Sequence, residues 1–394
     1  MANTIASAIL PRIIGEARET LSENMAFLNR VNKNFSNASG KVGQVVGIGV
    51  PAALTAASVS AANTAPAPTA VTNGSATVTI DQFYKASFAY SGTDFQNYDI
   101  DSLFMEQLKE AVRAVAYQMN SDALSVAWLG TPYAVGNCGT GFFASNADGL
   151  LDARKALVDR NVDRAKLDAI IATKDAAALG KIDAIQQSNT FGTREVIADG
   201  FAGRVLGFNI KEDQQIGIFT KGTITGDPTM GAAAVTTKTS VITCDTNDSI
   251  ALKAGDLIAV DGATYSVQAD LTVGNSETGT LTVDRNWETA LDGDEALAFA
   301  TASDGDGGVF DANTLKSMCG DWSGLSMVVR KPSANVLGYE VQGEHYDIVD
   351  PMSGVVLDLG IYPQYHQVAF EVSAVWGTDV TDSRKLLRLF TTST

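Results

Sequence analysis

Histidine is nearly absent from this 394-residue chain, which holds only His345 and His366. Cysteine is scarcely commoner: the three, Cys138, Cys244 and Cys319, lie too far apart for a CxxC redox or zinc motif. An odd count gives no disulfide framework, so all three are read as buried or partly buried thiols. Positive charge is short as well, with 28 Lys and Arg against 45 Asp and Glu and a formal net charge of −17. Phosphate binding needs clustered cations, so this balance argues against a protein whose main task is gripping nucleic acid. No apolar run reaches the ~20 residues that span a bilayer. Ile5–Ile14 is apolar, but Pro11 and Arg12 interrupt it and no cleavage site follows, so no export signal is read. A soluble protein made in a cytoplasm is expected.

Catalytic motifs are also missing. Neither histidine is accompanied by a G-x-S-x-G elbow or a cysteine-nucleophile signature, and both are read as surface or interface residues. Asp304–Gly305–Asp306–Gly307–Gly308, with Asp311 beyond, resembles a calcium loop only superficially. Such a loop needs an oxygen ligand at its fifth position and glycine at its sixth, and these places hold Gly308 and Val309. The segment is read as a flexible domain connection. Gly47–Ile48–Gly49 lacks the third glycine of a dinucleotide fingerprint, and Gly40–Lys41 lacks the upstream glycine of a P-loop. No catalytic, cofactor-binding or metal-ligating residue is assigned, and the chain is not expected to be an enzyme.

What is present is a sequence of contrasting segments. Ile5, Ile9, Ile13, Ala17, Leu21, Met25 and Leu28 predict a helix within 3–30, with a break or turn at Pro11. That helix is either docked on its own fold or an arm lying on a neighbour. Lys41–Val50 predicts a strand, Ala76–Ile80 a second, and Phe83–Tyr90 continues the extended pattern. Between the first two, Ala52–Ser75 is rich in Ala, Ser, Thr, Pro and Asn and has little to bury. It reads as the tip of a long hairpin or as a flexible linker. Phe104, Leu108, Val112, Val115, Met119, Ala123 and Val126 form one apolar stripe, with Glu106, Lys109, Glu110, Arg113, Gln118 and Asp122 opposite. They predict a helix over 103–128, about 39 Å long at 1.5 Å per residue.

Helical periodicity then disappears over 223–303, where Thr, Val, Gly and Asp dominate. Leu252–Val260 and Ala263–Val267 flank Asp261–Gly262, the strongest short hairpin signal, and Thr280–Asp284 is a further strand. These features predict a compact all-β block. Beyond it, Leu325–Arg330, Tyr346–Asp350, Val355–Leu359, Gln367–Val375 and Leu386–Phe390 read as extended.

Segment 149–219 carries a more specific pattern. A short helix at Asp148–Arg160 precedes a strand at Leu167–Ala172, and Arg194–Ile210 closes with Gly200–Phe201–Ala202–Gly203–Arg204–Val205–Leu206–Gly207–Phe208–Asn209–Ile210. This order and phrase resemble the major capsid (coat) proteins of tailed bacteriophages with the Hong Kong 97-type fold. The match looks closest to the subfamily with an inserted β-domain, typified by coat proteins of short-tailed Salmonella phages. That subfamily carries its insertion after the G-F-N-I phrase, often with a similar A-G-D…V-D-G hairpin.

The resemblance implies an α+β fold with an N-terminal arm at 1–31. It implies a peripheral domain at 32–128 containing an extended loop at about 52–75 and a spine helix at about 103–128. The axial domain would follow in two parts, 129–222 and 304–365, around an inserted β-domain at 223–303. Closing strands of the peripheral domain would occupy 366–394. The implied function is self-assembly, through hexamers and pentamers, into an icosahedral virion shell enclosing double-stranded DNA without sequence-specific binding. The implied partners are a scaffolding protein and a portal protein, with assembly in the host cytoplasm. No N-terminal domain of ~100 residues is seen, so a separate scaffold is expected. The alternatives are an encapsulin-like nanocompartment shell and an acidic, β-rich surface or secreted structural protein.

Overall fold

The computed structural model describes residues 9–24, 28–50, 74–94, 100–144, 146–182, 204–293, 295–301, 308–332, 335–336, 339–340, 343–350 and 354–393. The tip expected at 52–75, apart from its last two residues, and the Gly200–Gly203 part of the quoted phrase lie outside them. So do Asp304–Gly307.

Helix α1 spans Ile9–Asn24, which puts Pro11 in its first turn, where a missing N–H costs least. Ala17 and Leu21 are fully buried, and Glu16 reaches Lys109 Nζ at 2.8 Å. Over these residues the helix packs on the chain's own long helix. An amphipathic stripe needs an apolar surface to cover, and this fold supplies one.

Strand β1 (Asn32–Gly40) leads into a hairpin of β2 (Val45–Val50) and β3 (Gly74–Thr79), followed by β4 (Gln82–Ser91). Helix α2 then runs Ile100–Leu129, 30 residues and about 45 Å. Leu108, Val112, Val115, Met119 and Ala123 of the expected stripe are buried. Ala116 and Leu124 are buried too, within the core the helix shares with α1 and a sheet, and Trp128 is buried against Phe219 and Phe390. Next come β5 (Ala134–Asn137), helix α3 (Asp148–Asp159), β6 (Asp168–Ala172), helix α4 (Thr173–Gly180) and β7 (Phe208–Asp213). The Leu206–Gly207 part of the quoted phrase is a tight turn at φ 50° and 99°, pairing Val205 with Phe208.

The all-β block follows. Its main strands are β8 (Thr239–Thr243), β9 (Leu257–Val260), β10 (Ala263–Ser266) and β11 (Thr278–Thr282). Among the described residues, strands between 223 and 299 pair only with one another, in three three-stranded sheets. They enclose a core of their own that includes Ile242, Ile258, Tyr265, Leu281 and Trp287. Asp261 and Gly262 sit at φ 49° and 73°, the double left-handed turn that an Asp-Gly pair favours.

The remaining strands are β12 (Ser317–Gly320), β13 (Leu325–Pro332), β14 (Glu344–Asp350), β15 (Val355–Gln364), β16 (Gln367–Val380) and β17 (Leu386–Phe390). Two principal sheets result. One runs β1-β13-β16-β15-β14, with β4 also on β16; the other contains, in order, Gly308–Val309, β5, β17, β12, β6, β7 and Arg204–Val205.

After 304 the strands divide between these two sheets. β13, β14 and β15 share a sheet with β1 and β4, whereas β12 belongs to the other sheet. Likewise β16 and β17, both expected as closing strands of one domain, lie in different sheets. The chain crosses between sheets at Asp321–Gly324 and again at Asp382–Lys385. In each crossing an aspartate accepts a backbone N–H two residues on: Ser323 to Asp321 at 3.0 Å and Arg384 to Asp382 at 3.3 Å. A strand's apolar pattern does not encode which of two sheets receives it.

Candidate functional site

His345 and His366 are the natural starting point for any catalytic reading. His345 Nδ1 lies 2.8 Å from Asp358 Oδ2 across β14 and β15, and its ring meets Tyr362 edge-on. Burial raises the Asp358 carboxyl above the usual range, and the contact with His345 partly offsets this. The neighbouring Lys331–Asp347 pair, at 3.1 Å, completes a small polar cluster without a serine or cysteine nucleophile among its named contacts. His366 occupies the β15–β16 turn at φ 53°. All three cysteines are buried; burial pushes the Cys138 thiol up to about 12 and the Cys319 thiol higher still. Neither is a ready thiolate nucleophile.

Among the described residues, no group of three or more His, Cys, Asp or Glu is placed to hold a metal ion. An open cavity of about 550 Å³ lies between β5 and α3, with Asn137, Thr140, Asp152, Lys155 and Asp159 in its wall. It contains neither histidine nor cysteine.

The distinctive features are surfaces and joints. The β2–β3 hairpin is held at one end, where Val78 and Ile80 pack against Val328 of β13 and Val375 of β16. Val45 at that end is 58% exposed, and farther along Gly47 and Gly49 have no atom within 4 Å of where a Cβ would stand. One face of the ribbon is therefore open, while Val46 and Ile48 on the other face pack against the same apolar cluster. Passage of β3 over β16 depends on Gly377, whose hypothetical Cβ would lie 2.0 Å from the Thr79 carbonyl oxygen.

The second feature joins the all-β block to the rest. Its entry at Gly222 donates N–H to the buried Asp256 carboxylate at 3.1 Å, and its exit at Ala300 donates to the Leu257 carbonyl at 3.0 Å. Both chain ends thus meet the same short stretch. Asp256 also accepts the Lys253 N–H at 2.7 Å, and burial raises its carboxyl above the ordinary range. On the other side, Tyr133 stacks beneath the Arg160 guanidinium at 3.8 Å and lies 5.5 Å from that of Arg285 in the block. Fully buried Arg388 of β17 lies between the block and the end of α2.

Of these junction residues the sequence marked only Gly222, as the boundary before the expected block. Asp256 lay within the recognised hairpin region, but its contact to Gly222 is a tertiary one. Arg388 did carry a signal: it is one charge inside the otherwise apolar run Leu386–Phe390.

No protein-family model matches the sequence, and no curated protein matches it. Solved structures do resemble it. A chain from the mature capsid of bacteriophage PhiM1 is 10% identical with a TM-score of 0.46, covering 92% of this chain and 86% of that one. A chain from Mycobacterium phage Che8 is 12% identical with a TM-score of 0.45, over 88% and 84% of the two chains. A virus-like particle from Pyrococcus furiosus is 11% identical with a TM-score of 0.40, over 96% and 98%. Values this low leave the functional reading to rest on the chain's own geometry and sequence phrases.

Proposed function

We propose that this protein is the major capsid subunit of a tailed bacteriophage, assembling into an icosahedral shell around double-stranded DNA. The observation that carries the reading is the hairpin. An isolated two-stranded ribbon is marginally stable in water, yet β2 and β3 pair over six residues while Gly47 and Gly49 lack neighbours on their side-chain positions. A ribbon with one open face of this kind gains support by lying against another subunit. The long helix α2 beneath a sheet, the phrase around Arg204–Ile210 and the position of the block after it agree with the same reading.

In this proposal β2–β3 is the base of the extended loop, α2 is the spine helix, and the 223–299 block is the inserted domain. The subunit acts by assembly rather than turnover, with itself as principal partner and a separate scaffolding protein and portal as auxiliaries. Electron microscopy and sedimentation of the expressed chain test it. Closed shells, or rings of five and six subunits, are the expected result. Monomers at every concentration, with or without a co-expressed scaffold, would overturn it.

A further inference from the structure

Arg388 is among the largest fully buried side chains of the molecule, and the three hydrogen bonds described for it all go to neutral oxygens. Nη1 donates to the Gly255 carbonyl, while Nη2 donates to the Trp128 carbonyl at 2.5 Å and to Ser266 Oγ at 2.6 Å. The three acceptors come from different parts of the fold: Trp128 from the last turn of α2, Gly255 and Ser266 from the β-block. Arg388 itself belongs to the central part of the seven-stranded sheet.

The guanidinium also lies 4.6 Å from the Trp128 ring centroid, a cation–π contact in a desolvated site. Ser266 extends the network, receiving Arg388 and donating Oγ–H to the Leu129 carbonyl at 2.7 Å. Gln268 Nε2 donates to that same carbonyl at 3.0 Å. The last carbonyls of a helix ordinarily face water or a cap; here the block and β17 supply their donors.

A buried charge is costly unless its donors are satisfied. Both Nη groups are hydrogen-bonded, Nε has no hydrogen-bond partner among the described residues, and a fork of fixed donors suits acceptors in fixed positions. Asp256 and Asp284 favour the cation through space, and burial lowers its pKa to about 9, so it remains charged at neutral pH. A neutral side chain of similar length would fill much of the site but could not hold three oxygens from separate elements. We propose that Arg388 is a positioning residue that latches the 223–299 block to the C-terminal end of α2, so that helix and block move as one body. The latch is a property of the single subunit and does not depend on shell assembly.

Hydrogen exchange on the full-length chain, read peptide by peptide, tests this in the Arg388→Met variant. Exchange should rise about tenfold in peptides spanning 128–133, 253–257 and 264–268, as expected for lost hydrogen bonds from a charged donor. Peptides covering β8 and β11 inside the block should stay within about threefold of the parent, as should those of β16. Should Arg388→Met not fold, the double variant Ser266→Ala with Gln268→Ala opens the joint from the block side and should raise exchange at 128–133. Arg388→Lys, which keeps charge but loses the fork, should fall between parent and Met variant. Unchanged exchange at all three junction peptides in the folded variants would overturn the proposal. A rise spread equally over β8, β11 and β16 would also overturn it, because Arg388 would then be a general stabiliser.

Discussion

Trp376 donates its indole N–H to the Asp122 carboxylate at 3.0 Å. This bond ties β16, which pairs with three other strands, to the C-terminal third of the long helix. Burial raises the Asp122 carboxyl, and the indole contact pulls it partly back. Trp376→Phe should therefore lift the Asp122 midpoint further, as followed by carboxyl NMR. It should also lower stability by about 2–4 kcal/mol through lost volume and a lost bond. An unchanged midpoint would separate the two residues in solution.

Buried Asp175, in the first turn of α4, accepts hydrogen bonds from Thr391 Oγ1 at 2.8 Å and Ser317 Oγ at 3.3 Å. Burial nevertheless holds its carboxyl above the usual range. A carboxyl with a higher pKa folded than unfolded binds more protons in the folded state, so its favourable contribution is complete below the unfolded value and fades as pH rises through the folded one. Asp175→Asn, whose amide oxygen can accept from Thr391 Oγ1 while its NH2 donates to Ser317 Oγ, should gain on the parent as pH is raised from 4 to neutrality. A gain on the order of 1 kcal/mol is expected at neutral pH. Thermal melts across this range check the sign, and a pH-independent difference would refute it.

Two glycines should respond differently to alanine. Gly262 has a positive φ of 73° and open space around it, so Gly262→Ala meets only backbone strain, about 1 kcal/mol. At Gly377 the added Cβ would stand 2.0 Å from Thr79 O. Gly377→Ala should cost about 3 kcal/mol or more, or displace the hairpin. Denaturant unfolding of both variants gives the comparison, and equal costs would mean that β3 does not cross β16 so closely.

The charge balance leads to a binding expectation. With a net charge of −17, purified subunits should bind duplex DNA weakly, without sequence preference, and more weakly as salt rises. A mobility-shift titration at ~0.15 M salt is sufficient. Tight, base-selective binding would contradict the proposed container.

Local structure was readable where one chain segment carries its own instruction. The spacing from Phe104 to Val126 marked α2, and Asp261–Gly262 marked a turn whose two positive φ angles need those residue types. The docking of α1 was not decided by its stripe, since an apolar face covers its own helix or a neighbour's equally well. Nor was sheet membership after 304 readable, because β12, β13, β16 and β17 are all apolar strands and only tertiary pairing separates them. Arg388 illustrates the same limit. Its partners are two backbone carbonyls, which carry no side-chain code, and one serine hydroxyl, all 122 to 260 residues away.

The two crossings at Asp321–Gly324 and Asp382–Lys385 run side by side. Thr381 N–H donates to the Gly324 carbonyl at 2.9 Å, and Asp321 N–H donates to the Lys385 carbonyl at 2.9 Å. Two bonded passes between two sheets form a crease instead of a swivel. Drawing either pass away from its sheet breaks a backbone bond to the other, so each pass holds its neighbour in place.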